Sequence, residues 1–344
     1  MTATPRTASP EGPNRSPAPT RRPPALVALL TDAWETTEGR TSLLGAAIGL
    51  GLLSLIFFSN FLHFAISWSS DENYSHGFLV PLISLYFANL AAERGPVRVR
   101  GGAALGVTLL AAALIAKLIT FLGFPTLGDI ALVASLAGLC ALLAGVEAVR
   151  RFWFAIAFLL FMIPLPVALY ALIASPLQLM VSQVASLGLN AAGVPVLTEG
   201  NMMTLPGGVQ MFVAEACSGM RQLTGFLALT AAVAYLTPRP AWYRLALIAS
   251  AVPIAMTANV ARVILTGFIM YFVNPHYASG TYHTLEGLLM LGFGLSLLRG
   301  ECLMLDQVVA LLNPEEPPAP GPPAPGPAPH ERVLRPMPPV AASR

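Results

Sequence analysis

The stretch VAEACSGMRQLTGFLALTAAVAYL, residues 213–236, places a cluster of polar side chains directly before a long apolar segment. That segment, about 219–236, approaches the roughly 20 residues that a helix needs to cross a bilayer. The same pattern recurs along the chain, which has 344 residues, 55% of them hydrophobic and 10% charged. Soluble domains carry about 25% charged residues. We therefore predict an all-α polytopic membrane protein.

Apolar runs along the sequence predict about eight transmembrane helices. They cover about 43–64, 77–92, 102–122, 130–148, 152–174, 219–236, 245–272 and 284–299. Both ends of the chain are rich in proline, a composition that cannot bury a core. We accordingly predict a disordered cytoplasmic N-terminal tail over 1–41, an eight-span membrane domain over 42–300 and a Pro-rich cytoplasmic C-terminal tail over 301–344.

The distribution of arginine predicts how these spans are oriented. With eight spans, the arginines near the span ends fall on one side of the membrane: Arg21, Arg22, Arg94, Arg98, Arg100, Arg150, Arg151, Arg239, Arg244 and Arg299. Loops rich in Lys and Arg stay in the cytoplasm. Both termini are then cytoplasmic, and a long loop over 175–218 lies outside. A formal net charge of +2 gives no reason to expect nucleic-acid binding.

Within the long outer loop, the segment PVLTEGNMMTLPGGVQMFVAEA, residues 195–216, alternates short β-prone runs with turn signals. The turn signals are Glu199-Gly200-Asn201 and Pro206-Gly207-Gly208. This pattern predicts a small extracytoplasmic β-hairpin or three short strands. The segment leads directly into Cys217.

An arginine interrupts the seventh apolar run, in IAMTANVARVILTGFIM. Placing Arg262 near the centre of a membrane helix costs roughly 2.5–3.5 kcal/mol, so an intramembrane charge of this kind suggests a functional role. Counted from residue 245, it lies about 25 Å along the helix, in the outer half of the bilayer. The alternative is an arginine that ties helices together through backbone carbonyls or extends to the interface.

A thiol and an imidazole each stand at the predicted start of a span. Cys217 precedes the sixth span, where the helix N-terminus favours a thiolate; the alternative is a small packing residue. His283 opens the eighth span, where a neutral imidazole can act as a base; the alternative is an interfacial histidine. One turn later, Glu286 either orients that imidazole or pairs with Arg262.

Cys217, Arg262 and His283 all fall on the outer side of the membrane in the orientation that the arginine distribution predicts. A thiol, a base and a fixed cation are the components of a cysteine acyl-transfer site. The spacing of Cys140, Cys217 and Cys302 matches neither a metal site nor a disulfide framework. We expect no metal and no cofactor.

Four segments of the sequence resemble the exosortase/archaeosortase family. They are YSHGFLVP at 74–81, EGNMMTLPGGVQMFVAEACSGMRQL at 199–223, NVARVILTGF at 259–268 and HTLEGLLMLGFG at 283–294. The resemblance implies a multi-span cysteine transpeptidase of the bacterial inner membrane with an extracytoplasmic active site. Its partners would be exported proteins that end in a Pro-Glu-Pro type motif, a membrane helix and a basic cluster. It would cut near the motif and pass the new carboxyl end to an acceptor nucleophile of unknown identity.

Carried over to this sequence, the resemblance makes Cys217 the nucleophile, with Arg262 and His283 as the other catalytic residues, and matches Asn259 to the family's asparagine. The supporting or substrate-binding candidates are Glu215, Ser218, Asn259, Glu286 and His76. Apart from clients and acceptor, the expected partner is membrane lipid. Two other classes remain open from the residues alone. One is a transporter or channel for a lipid-linked glycan or small solute, and the other is a structural membrane scaffold.

Overall fold

The structure, a computed structural model, describes residues 23–95, 101–213, 219–274, 276 and 281–312, without the side chains of 281–284. Its helices are α1 Ala25–Glu35, α2 Thr37–Ile56, α3 Phe58–Ser70, α4 Val80–Ala92, α5 Ala103–Ile119, α6 Pro125–Phe158, α7 Val167–Ala191, α8 Met220–Leu236, α9 Ala241–Phe272 and α10 Thr281–Leu312. Its strands are β1 Leu197–Glu199, β2 Met202–Leu205 and β3 Val209–Phe212. Short 3-10 helices cover Glu72–Phe78 and Leu159–Met162. The predicted all-α fold with a small sheet is confirmed.

Seven helical segments in the described part of the chain are long and apolar enough to cross a membrane. They are Thr37–Ile56, Glu72–Ala92, Ala103–Leu122, Pro125–Met162, Val167–Ala191, Ala241–Phe272 and Leu285–Leu312. Helix α8 has 17 residues and is slightly shorter than these. The chain is therefore a multi-pass membrane protein, as its composition predicts.

The segment Pro125–Met162 contains two antiparallel passes, which meet at Gly145. The backbone there has φ 88° and ψ 174°, which is not helical and favours glycine. The first pass runs antiparallel to α5: a Cβ on Gly128 would lie 2.7 Å from Thr120 Cγ2, and one on Gly102 would lie 2.7 Å from Gly145 Cα. The two spans predicted at 130–148 and 152–174 are thus both present, joined by a sharp reversal.

The second of these passes ends earlier than predicted. It runs back along α4, where Ser84 Oγ donates a hydrogen bond of 2.7 Å to Ala155 O, and it ends at Met162 instead of residue 174. Pro164 and Pro166 follow immediately, and a proline cannot continue a helix from the preceding turn.

Helix α7 covers 175–191, which the sequence analysis places in an outer loop, so that part of the prediction is wrong. Its start follows Leu165, whose N–H donates to Tyr74 Oη at 3.2 Å. Near its other end, a Cβ on Gly267 would lie 2.7 Å from Leu189 Cδ1. Both contacts lie at the end of the bundle that carries the sheet, so α7 lies along this end and does not traverse the bundle.

The three strands form an antiparallel sheet in the order β1-β2-β3. Met203 pairs with Met211 across β2 and β3, and both side chains are buried. They pack in one apolar cluster with Val181 of α7 and Val263 of α9. Gly200 turns the chain between β1 and β2 with φ 63°. The predicted three short strands are confirmed, and they rest on the ends of α7 and α9.

The bundle has two chemically different ends. At the arginine end, Arg94 donates to Tyr235 Oη at 3.4 Å and Arg151 to Gly95 O at 2.7 Å. Arg239 forms an ion pair with Asp306 at 3.0 Å. The opposite end, the sheet end, carries the sheet and the 3-10 helix Glu72–Phe78. Three of the arginines that predict a common side of the membrane, Arg94, Arg151 and Arg239, therefore lie at one end of the described part of the chain.

Three helices extend into segments predicted as tails: α1, the start of α2 at Thr37, and the end of α10. In the segment 1–41, which we predicted to be disordered, Ala25–Glu35 forms α1, and Leu26 N donates to Asn89 Oδ1 at 3.0 Å. The physical reason is the apolar run ALVALL, which can pack against α4. At the other end, α10 continues to Leu312, and the Arg239–Asp306 pair ties this extension to the α8–α9 connection.

A buried polar cluster joins α3, α5 and α6 near the sheet end. Asp129, which is 1% exposed, accepts a hydrogen bond of 2.7 Å from Asn60 Nδ2. Lys117 donates to Asn60 Oδ1 and, at 3.0 Å, to Ser59 Oγ. Because the lysine and the aspartate share the asparagine, the buried carboxylate is both hydrogen-bonded and close to a positive charge, as a buried charge requires.

Candidate active site at the sheet end

One face of α9 carries a buried polar row. Asn259, Arg262 and Thr266 are spaced by three and four residues, so they lie on the same side of the helix. Their exposed fractions are 3%, 7% and 0%. A cation this deeply buried needs partners of opposite charge or hydrogen-bonding groups, and the neighbouring helix α10 supplies them.

Glu286 of α10 is the acidic partner of this row. It is 4% exposed, and its Oε2 lies 3.0 Å from Thr266 Oγ1, which also lies 3.0 Å from Arg262 O. The carboxylate interacts electrostatically with Arg262. Both roles of Glu286, pairing with Arg262 and orienting His283, stay predictions, because the side chain of His283 lies outside what the structure describes.

The guanidinium of Arg262 reaches the beginning of α10. A Cβ on Gly287 would lie 3.9 Å from Arg262 Nη2. His283 precedes Gly287 by four residues in the same helix, so its backbone lies one turn further along that face.

Asn259 lies against the turn that opens α8. Gly219 has φ 66°, and a Cβ there would lie 2.8 Å from Asn259 Nδ2. Only glycine fits, because the backbone is left-handed and the asparagine occupies the space of a side chain. Cys217 is two residues before this glycine in the sequence.

Several predicted site residues fall outside what the structure describes. Glu215, Cys217 and Ser218 lie in the segment 214–218, and only the backbone of His283 is described. Of the predicted site residues, the structure brings together Asn259, Arg262 and Glu286.

His76 lies in the 3-10 helix Glu72–Phe78, and its Nε2 is 3.2 Å from Phe161 O. The same 3-10 helix contacts the first turn of α8 through an ion pair between Glu72 and Arg221. The structure thus connects the YSHGFLVP motif to the helix that begins after Cys217, while it anchors His76 to the end of the second pass of α6.

Three contributing residues were not among the predicted site residues: Thr266, Glu72 and Arg221. Thr266 follows Arg262 by four residues, and this spacing alone could have identified it as a neighbour on the same face. Glu72 and Arg221 are separated by 149 positions, and no local pattern links them.

A buried arginine and glutamate, held between the starts of two helices at one end of a polytopic bundle, define a membrane protein with an intramembrane polar site. The family model described as transmembrane exosortase matches residues 68–300, which include every residue of this site. The match covers well over half of the chain, which therefore belongs to the transmembrane exosortase family. Comparison with curated proteins and with solved structures gives no match.

Proposed function

We propose that this exosortase is a cysteine transpeptidase that cleaves C-terminal sorting signals of exported proteins on the extracytoplasmic side of the inner membrane. The signals are of the Pro-Glu-Pro, membrane helix and basic cluster type. One observation carries the proposal: the polar face of α9 extends from the turn at Gly219, which Asn259 contacts, to the first turns of α10, the helix that contains His283, which Arg262 contacts. A transporter or channel would not require a thiol segment and a histidine helix to meet at one charged row.

In this proposal His283 takes the proton of the Cys217 thiol, and the resulting thiolate attacks the scissile carbonyl, whose oxygen becomes an oxyanion. Arg262 stabilises that oxyanion, since a fixed cation in a water-poor site interacts strongly with developing charge. Glu286 and Thr266 hold Arg262 in position. The negative charge of Glu286 also lowers the cost of burying the guanidinium.

His283 then donates a proton to the departing amine, which leaves with the client's C-terminal helix. The client's new carboxyl end remains on Cys217 as a thioester. An acceptor nucleophile attacks the thioester while His283 removes its proton, and the thiolate is released. If water is the acceptor, the outcome is hydrolysis.

The test is processing of a reporter that ends in a Pro-Glu-Pro motif, a membrane helix and arginines. Cys217→Ala leaves the reporter's C-terminal helix attached. Cys140→Ala and Cys302→Ala serve as matched controls and process normally, because both residues are half-buried on helix surfaces away from the polar row. Normal trimming by Cys217→Ala would overturn the proposal.

A further inference from the structure

A second polar feature lies at the arginine end, remote from the polar row of α9. A cavity of about 580 Å³ opens between the end of α4 and the α8–α9 connection. Its charged lining consists of three arginines, Arg94, Arg239 and Arg244, and one acid, Glu93. This arrangement has an excess of positive charge at a single opening.

The three arginines differ in whether a nearby acidic side chain balances their positive charge. Arg239 is mostly buried, with a side chain 10% exposed, and is paired with Asp306 at 3.0 Å. Arg94 donates to Tyr235 Oη, and Arg244 is exposed. Neither Arg94 nor Arg244 forms an ion pair with the described residues. Two cations therefore face the cavity with their charges available for an anion.

The remaining lining of the cavity is mostly apolar, with the hydroxyls of Tyr235 and Thr237 as its polar groups. Leu90, Leu236 and Pro238 continue the wall below the arginines, and Leu236 is 46% exposed. Trp242, 40% exposed, begins α9 nearby. Tryptophan is enriched where a membrane protein meets the headgroups. A charged opening above an apolar wall at this level matches an amphiphile with an anionic head and hydrocarbon chains.

We propose that this cavity binds the phosphate of an anionic phospholipid headgroup, with Arg94 and Arg244 contacting the phosphate and the leucines contacting the acyl chains. Basic pockets between membrane helices are known to bind such headgroups, and an arginine guanidinium forms paired hydrogen bonds with phosphate oxygens. The basic cluster of a client protein is not a suitable occupant, because it would be repelled by the arginines.

The experiment uses the full-length protein in a neutral detergent and titrates it with phosphatidylglycerol, phosphatidylcholine or inorganic phosphate. Bound lipid is measured by native mass spectrometry. We expect phosphatidylglycerol to bind and to raise the unfolding temperature, and phosphatidylcholine to bind much more weakly. Inorganic phosphate at millimolar concentration leaves the bound phosphatidylglycerol in place. Its displacement by phosphate would overturn the assignment to a lipid and indicate a site for a soluble phosphate.

The double variant Arg94→Gln with Arg244→Gln tests the residues. Each arginine near a headgroup favours an anionic lipid by about fivefold, so the double variant binds phosphatidylglycerol about twenty-five-fold more weakly. The control is Arg40→Gln, an exposed arginine of α2 that donates to Trp34 O and does not line the cavity. Equal binding by the double variant and the control would overturn the proposal. The single variants, each about fivefold weaker, provide the same test if the double variant does not fold.

Discussion

The pairing of Arg262 with Glu286 makes a quantitative prediction about stability. Both side chains are almost fully buried, at 7% and 4% exposure, and Glu286→Gln removes the charge while keeping the shape. The guanidinium then remains buried without its counter-charge, and breaking a buried ion pair in this way costs about 3–5 kcal/mol. We expect a large drop in the free energy of unfolding.

A double-mutant cycle separates this pairing from simple damage to packing. Replacing Arg262 and Glu286 together with leucine and glutamine removes the uncompensated charge, so the double variant is more stable than the two single losses predict. We expect a coupling energy of at least about 1 kcal/mol, near the middle of the range for residues in contact. Unfolding is followed in detergent by loss of helical circular dichroism during denaturant titration.

The matched control is Glu72→Gln, which removes the acid of the ion pair with Arg221. The side chains of that pair are 42% and 75% exposed, and an exposed pair contributes about 0–1 kcal/mol. If Glu286→Gln destabilises the protein no more than Glu72→Gln, or if the cycle shows no coupling, the buried pair does not exist as described.

Three other predictions concern rate, local geometry and topology. Arg262→Ala lowers the rate of client cleavage by roughly 10²–10³, as removal of one oxyanion donor does in other enzymes. Arg262→Lys keeps only part of the rate, because an ammonium lacks the planar, forked hydrogen-bond donors of a guanidinium. Full activity in both variants would contradict the catalytic role. Gly219→Ala lowers cleavage strongly, because φ at this position is 66° and the new methyl would lie 2.8 Å from Asn259 Nδ2. The control, Gly225→Ala in α8, has little effect, since a Cβ there meets nothing within 4 Å. Equal activities of the two variants would show that the Gly219–Asn259 contact is unimportant. The orientation is tested in a cysteine-free background with a maleimide that does not cross membranes. Glu199→Cys on β1, at the outer end, is labelled in intact spheroplasts, and Arg244→Cys, at the cytoplasmic end, is labelled only after permeabilisation. The reverse labelling pattern would show that the predicted orientation is inverted.

The sequence predicts the parts of the fold that have strong local signals. Glu199-Gly200-Asn201 and Pro206-Gly207-Gly208 mark two turns, and the structure has strands on both sides of each. The arginine distribution predicts a common end for several loops, and the contacts of Arg94, Arg151 and Arg239 gather at one end. Turns and arginine-rich loops are determined by residues close together in the chain, so a single sequence is enough to predict them.

Other features depend on packing that hydropathy does not encode. The surface helix α7 lies in apolar sequence, where a helix that crosses the bilayer and one that lies along the bundle have similar composition. In the site, the cost of burying Arg262 signals an unusual residue. The sequence could not choose between two roles for Glu286, because that choice depends on how α10 is rotated against α9.

The most direct test of the central claim is to detect the client as a thioester on Cys217. The purified protein is incubated with a peptide that contains the Pro-Glu-Pro motif and the start of its membrane helix, quenched with acid and analysed by mass spectrometry. We predict an adduct equal in mass to the peptide segment before the cut, attached to Cys217, released by hydroxylamine as the hydroxamate and missing in Cys217→Ala. Cleavage of the peptide with no adduct on Cys217 under conditions that trap thioesters, or with equal yield in Cys217→Ala, would contradict the claim.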